Sequence, residues 1–103
     1  MSENLKTRFN EHMYDLYERV REECHYAPRY FHRMLTEHGG IETARRLLNQ
    51  QAYSEGFTRL WEMGRLYLTV EAAVIEQPWC NLFSDEEIAI ARKKLRDYGY
   101  TKV

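Results

Sequence analysis

Apolar residues recur at intervals of four or three along the first part of the chain: Leu5, Phe9, Met13, Leu16, Val20 and Cys24. That spacing draws a single stripe down an α-helix, so the pattern predicts a long N-terminal helix. Ser2 is placed to cap it, because a short side-chain oxygen can accept from the free N–H groups of a first turn. Asp15 with Arg19 and Glu18 with Arg21 set an acid ahead of a base on its surface. Tyr26-Ala27-Pro28 interrupts the stripe. Proline is at home in a first helical turn, so a second helix is expected from Pro28, with Tyr30, Phe31, Met34 and Leu35 inward. Gly39-Gly40 closes it, since glycine accepts the left-handed backbone that helix ends use. A third helix is expected from about Ile41 to Gln50, with Ile41, Ala44, Leu47 and Leu48 inside and Glu42 and Arg46 outside.

The second half is more broken. Ser54-Glu55-Gly56 reads as a turn, followed by a short helical piece carrying Phe57, Leu60 and Trp61 that stops at Gly64. Leu66 and Leu68 alternate with Arg65 and Tyr67, the period of an extended segment. Thr69 is suited to cap a fifth helix bearing Val70, Ala73 and Val74, which must close before Pro78. Trp79, Leu82 and Phe83 form an apolar cluster in a loop. Ser84 and Glu87 then match the S-x-x-E capping box, reinforced by Asp85 and Glu86 at the positive helix end. Ile88, Ala91, Leu95 and Tyr98 make the inner face of this last helix, and Gly99 ends it. The expected fold is therefore all-α: one small orthogonal bundle of five or six short helices, with the long N-terminal helix packed across the rest. No repeat, low-complexity run or linker divides the chain, so residues 1–103 are expected to form a single domain.

Three stretches carry a resemblance. They are Gly39-Gly40-Ile41-Glu42-Thr43-Ala44-Arg45-Arg46-Leu47-Leu48, the run Gly56-Phe57-Thr58-Arg59-Leu60-Trp61-Glu62-Met63-Gly64-Arg65-Leu66, and Leu68-Thr69-Val70-Glu71-Ala72. With Tyr26, Phe31, Leu82-Phe83 and the ending Tyr98-Gly99-Tyr100, the chain resembles a family of small uncharacterised bacterial all-helical proteins. The resemblance implies a helical fold and a bacterial or phage origin. It supplies no mechanism and no catalytic residues. The chain departs from the family pattern at Tyr67, where an Asp often stands between the two leucines.

Composition narrows the function classes. The 103 residues are 44% hydrophobic and 30% charged, which is globular rather than disordered composition. With 15 basic and 16 acidic residues, the net charge of −1 provides no global field to gather a phosphate backbone. Cys24 and Cys80 form no C-x-x-C pair and suggest two free thiols in a reducing compartment. The first residues lack the apolar run of a signal peptide, and no stretch approaches the ~20 apolar residues of a membrane span. A cytoplasmic location and no membrane partner are the resulting expectations.

Candidate chemistry is sparse. His12, His25, His32, His38, Cys24 and Cys80 lack metal-ligand spacing, and only Cys24, His25 and His32 could gather across the Pro28 bend. Neither a metal ion nor a cofactor is expected. Cys24 and His25 are sequence neighbours, a poor geometry for a thiolate–imidazole pair. Glu62 and Glu71 flank Arg65, and a structural role explains them better than acid–base catalysis: Glu71 meets the free N–H groups after the Thr69 cap, and Arg65 paired with Glu62 or Glu71, the Arg65–Glu71 ion pair above all, would lock the turn. Nucleic acid is the main rival partner. Residues 28–50 read as helix, turn, helix, and the second helix offers Thr43, Arg45, Arg46, Asn49 and Gln50, all types that contact bases or phosphates. Arg92, Lys93, Lys94 and Arg96 complement the last helix's dipole and spread around it rather than converging on a strand of phosphates. Tyr14, off the first helix's stripe, and Tyr67, alternating away from its leucine neighbours, are candidate contacts for a protein partner or a second copy. The expected role is a non-enzymatic interaction module, an accessory or adaptor subunit of a bacterial or phage assembly; the alternative is a small DNA- or RNA-binding protein.

Overall fold

A computed structural model of the chain describes residues 4–50 and 54–101. Five helices run in the order α1 (Leu5–Cys24), α2 (Arg29–Asn49), α3 (Glu55–Glu62), α4 (Val70–Val74) and α5 (Asp85–Asp97). Short 3₁₀ turns at Leu66–Leu68 and Trp79–Leu82 flank α4, and no strand occurs among the described residues.

Helix α1 buries the expected stripe through Phe9, Met13, Leu16 and Val20, while Cys24 is half-buried at its end. Its cap is Asn4, whose side-chain oxygen accepts from the Thr7 N–H at 2.8 Å; Ser2 lies outside the described residues. Glu18 pairs with Arg21 at 3.2 Å as expected, but Arg19 pairs forward with Glu23 at 3.1 Å rather than back with Asp15. His25 closes the helix in the left-handed region, at φ 51°.

The expected second and third helices follow one another within α2, divided at Gly39 as the glycine pair predicts. Gly39 takes φ 80° and ψ 172° inside α2. That conformation breaks the hydrogen-bond ladder and leaves the next N–H without a helical acceptor. Asn10 of α1 supplies one: its Oδ1 accepts from Gly40 N at 2.8 Å, so the second half of α2 is capped from another helix. The helices approach so closely there that a Cβ on Gly40 would meet the Asn10 Cα at 3.0 Å, and Phe9 Cδ2 and Met13 Cγ at 3.3 Å each. Met34, Leu35, Ala44, Leu47 and Leu48 face the core. Tyr30, expected inward, is 60% exposed, because it stands in the first turn of α2, beyond the reach of α1's buried stripe.

Ser54 caps α3 by accepting from Phe57 N at 3.1 Å. Both α3 and α5 end in the same hydrogen-bond pattern, with Arg65 N donating to Leu60 O and Tyr100 N to Leu95 O, across Gly64 and Gly99 respectively. The expected extended piece at Leu66–Leu68 is instead a 3₁₀ turn, which buries both leucines. Thr69 then caps α4. Its hydroxyl accepts from Ala72 N at 3.1 Å and donates to Leu66 O at 2.7 Å, tying turn to helix. The loop cluster after α4 packs inward, with Phe9 edge-on to Phe83 at 5.4 Å and 5.7 Å from Trp79. Both arms of the Ser84–Glu87 capping box are made. On α5, Ala91 and Leu95 are buried and Ile88 and Tyr98 half-buried, but Lys94 also faces inward, at 8% exposure.

Candidate functional site

The first half of α1 and the second half of α2 leave no room between them. Beyond that contact the packing loosens. Leu16 and Val20 on α1, Phe31 on α2, and Phe57 and Leu60 on α3 surround a cavity of about 370 Å³. The Tyr26–Pro28 bend closes one side, and Leu68 to Glu71, leading into α4, form the floor. Arg29, Tyr30 and Glu55 stand at the rim and are exposed. This geometry follows from local sequence. The left-handed His25 and the Pro28 start of α2 make the α1–α2 connection a wide bend. Helix α3, only 8 residues long, covers part of the opening. The walls are mostly apolar, with a few polar groups at fixed places, the usual make-up of a binding pocket.

Tyr26 is half-buried in this wall, and the Arg59 guanidinium lies 4.7 Å from its ring centre. Burial pushes its phenol up from the ordinary value, Glu55 adds to the rise, and Arg59 opposes it.

Glu71 is the notable polar residue of the floor. It is 4% exposed and in the first turn of α4. Its cationic partner is Lys94 of α5, with Nζ 3.8 Å from Glu71 Oε2. The expected pair with Arg65 is not formed. Arg65 precedes the 3₁₀ turn and donates from Nη1 to Met63 O at 3.4 Å, while its buried Nε has no hydrogen-bond partner. Thr69's cap turns Glu71 away from that joint and toward α5. The Lys94 ammonium makes its short hydrogen bond, 2.9 Å, to Leu47 O. Burial dominates both charges: it raises the Glu71 carboxyl, opposed by the residue's own backbone N–H and by Lys94, and it lowers the Lys94 ammonium, opposed by Glu71. The sequence carried a signal for each. Glu71 is the lone charge in the run Val70-Glu71-Ala72-Ala73-Val74, and Lys94 stands three residues after Ala91 on the buried face.

The residues expected to touch nucleic acid do not converge. Thr43 is fully buried, which removes it as a contact: its place beside Ala44 and Leu47 turns it into the core. Arg45 is drawn along the protein surface, donating to Glu87 Oε2 at 2.9 Å and to Leu82 O at 3.4 Å, with its guanidinium 5.9 Å from the Phe83 ring centre. Arg46 is exposed, 3.9 Å from Glu42. Asn49 is exposed and Gln50 half-buried at the end of α2. Of the tyrosines expected to meet a partner, Tyr14 is half-buried and edge-on to His32. Tyr67 is 40% exposed, but its hydroxyl donates to Glu23 Oε1 at 2.8 Å and Arg19 lies 5.7 Å from its ring centre.

Glu62 is exposed and Glu71 buried, so the two carboxylates do not share an environment. Among the described residues, no group of three His, Cys, Asp or Glu side chains is placed to hold a metal ion. No helix among them is long and apolar enough to cross a membrane. A second, more open recess runs past Trp61, Tyr67 and Tyr100, with Trp61 edge-on to Tyr98 at 5.0 Å. No family model, no curated protein and no solved structure matches the chain.

Proposed function

We propose that this chain is a non-enzymatic interaction module, an accessory or adaptor subunit of a larger protein assembly, and that it holds its protein partner at the cavity between α1, α2 and α3. The cavity carries the reading. It is about 370 Å³, largely apolar, open at one side and ringed by exposed Arg29, Tyr30 and Glu55. An apolar recess inside a polar rim is the anatomy of a protein-interface anchor site. Two hydroxyl side chains that line it hold the fold: Thr69 caps α4 and Ser54 caps α3.

Gly56 provides the test. It lines the cavity, and a Cβ there would meet nothing nearer than Ser54 Oγ at 3.9 Å. Gly56→Phe should occupy the opening while leaving α3 intact. Immobilised wild-type chain, exposed to nuclease-treated lysate of its source cells, should retain a protein in near-stoichiometric amount, and the Gly56→Phe chain should not. Equal retention by both chains, with matching melting temperatures, would refute the reading, as would a partner lost on nuclease treatment.

A further inference from the structure

Helices α3 and α5 bring their C-terminal ends to one place, the more open recess, of about 370 Å³. Trp61 and Gly64 line it from one helix end, Tyr98, Gly99 and Tyr100 from the other, and Tyr67 stands beside them. Both glycines are left-handed, at φ 71° and 83°. Among the described residues, a Cβ on either would meet nothing within 4 Å, so both helix ends are left uncovered. The recess shares no lining residue with the cavity between α1, α2 and α3.

Three features give this place a negative potential. A helix C-terminus carries about half an elementary negative charge, and two of them meet here. The faces of aromatic rings are the negative part of their quadrupole and attract cations. Trp61, 45% exposed, stands at 88° to Tyr98 with the ring centres 5.0 Å apart, so the two make a corner. Acids also reach the edge from outside. The Tyr67 hydroxyl donates to Glu23 at 2.8 Å, and burial pushes the Tyr100 phenol up with the charge of Glu76 adding to the rise. Among the described residues, no lysine or arginine lines the recess. Arg59 lies over Tyr26, Lys94 bonds Leu47 O, Arg65 is held on Met63 O, and Arg19, 5.7 Å from the Tyr67 ring centre, is paired with Glu23.

Hydrogen bonding decides which cation fits. Carbonyls at both helix ends are already taken: Leu60 O by Arg65 N, Trp61 O by Gly64 N, Leu95 O by Tyr98 N and Tyr100 N, and Arg96 O by Gly99 N. A cation rich in N–H donors would give up water here against aromatic walls, at a cost that grows with each donor left unpaired. A cation without donors has no such loss. We propose that the recess is a binding site for a trimethylammonium group, seated against Trp61, Tyr98 and Tyr100 and drawn in by the two helix ends. The space is ample, since a cavity of about 150 Å³ already admits a benzene ring. The open side lets the fourth substituent of the nitrogen run out to solvent, whether it belongs to a small molecule such as choline or to a methylated lysine of a protein.

The test titrates the isotope-labelled full chain by NMR at constant ionic strength. The probes are choline, the alcohol in which a tert-butyl group replaces choline's trimethylammonium, and acetylated, amidated Gly-Lys-Gly peptides with the lysine unmodified or trimethylated. Choline or the trimethylated peptide should shift the Trp61 indole N–H and the Gly64 and Gly99 amides. The neutral isostere keeps the shape and loses the charge, and should bind about two- to fivefold more weakly than choline. In Trp61→Leu the shifts at Gly64 and Gly99 should disappear, and Trp61→Phe should restore part of them; if Trp61→Leu does not fold, the wild-type comparison of choline with its isostere decides. Tighter binding of the trimethylated peptide than of choline assigns the group to a protein, and the reverse assigns it to a small molecule; either supports the site. Equal or tighter binding of the neutral isostere would overturn the proposal, as would equal binding of the two peptides with no response to choline. No shift at the recess with any probe would overturn it outright.

Discussion

The two ends of α1 carry the same apolar stripe and meet opposite surroundings. Toward its N-terminus, Phe9 and Met13 are fully buried, and α2 comes so near that only a glycine fits at position 40. Toward its C-terminus, Leu16 and Val20 are nearly as inaccessible to water, yet they border a cavity of about 370 Å³. Low exposure and close packing are therefore separate properties. The first follows from a stripe of apolar residues on one helix. The second requires that the facing element arrive at the right distance. Gly40 and the Asn10 hydrogen bond bring α2 in at one end, and the bend around His25 and Pro28 holds it off at the other.

The largest effect expected is at the tight end. Phe9→Ala removes a ring surrounded by Phe83, Trp79 and the α2 backbone and should cost about 3–5 kcal/mol in denaturant unfolding. A loss below about 1 kcal/mol would show that this end can collapse, and the contrast with the cavity would fail.

Next is the buried charge on the cavity floor. Glu71→Gln removes the buried carboxylate charge that stands 3.8 Å from the Lys94 ammonium and should cost about 3 kcal/mol at neutral pH. The pH dependence sharpens this. Burial raises the folded-state Glu71 carboxyl above its ordinary 4.5. The group's contribution to stability is therefore fully present below 4.5 and is lost as pH rises through the raised value. For Lys94, held below its ordinary 10.5, the contribution is present above 10.5 and is lost as pH falls through the lowered value. Between pH 4 and neutrality, the stability of wild type minus that of Glu71→Gln should thus fall as pH rises. A difference that stays flat over that range would mean Glu71 is not desolvated in solution.

Two small-to-large substitutions then compare the ends directly. Gly40→Ala places a methyl 3.0 Å from the Asn10 backbone and should cost about 1–3 kcal/mol. Val20→Leu adds one methylene beside the cavity and should be neutral or stabilising by up to about 0.8 kcal/mol. If Val20→Leu costs as much as Gly40→Ala, the cavity is not open in solution.

Local signals in the sequence suffice where the interaction partners lie close along the chain. The Ser84–Glu87 box, the Thr69 cap and the ends of α3 and α5 at Gly64 and Gly99 all involve residues within five positions of one another. Residue types alone misplaced Thr43, which looked like a reader of bases and is in the core. They also paired Glu71 with Arg65, six positions away, when its partner is Lys94, 23 positions away. The cavity left no trace in the pattern, because its lining residues look like any other core positions.

By itself, the chain determined an all-helical fold, the long first helix with its stripe, and most of the points where helices start and stop. These depend on side chain–backbone contacts and on periodicity, which operate over a few residues. Gly39 divides α2 into two helical halves, as the glycine pair predicts; tertiary structure decided that the second half is capped by Asn10 on another helix. It decided that a lysine of α5 would neutralise a glutamate of α4. It also decided where packing is complete and where it leaves a hollow, because a cavity is a distance between elements, and no element's own sequence records how far away its neighbour will stand.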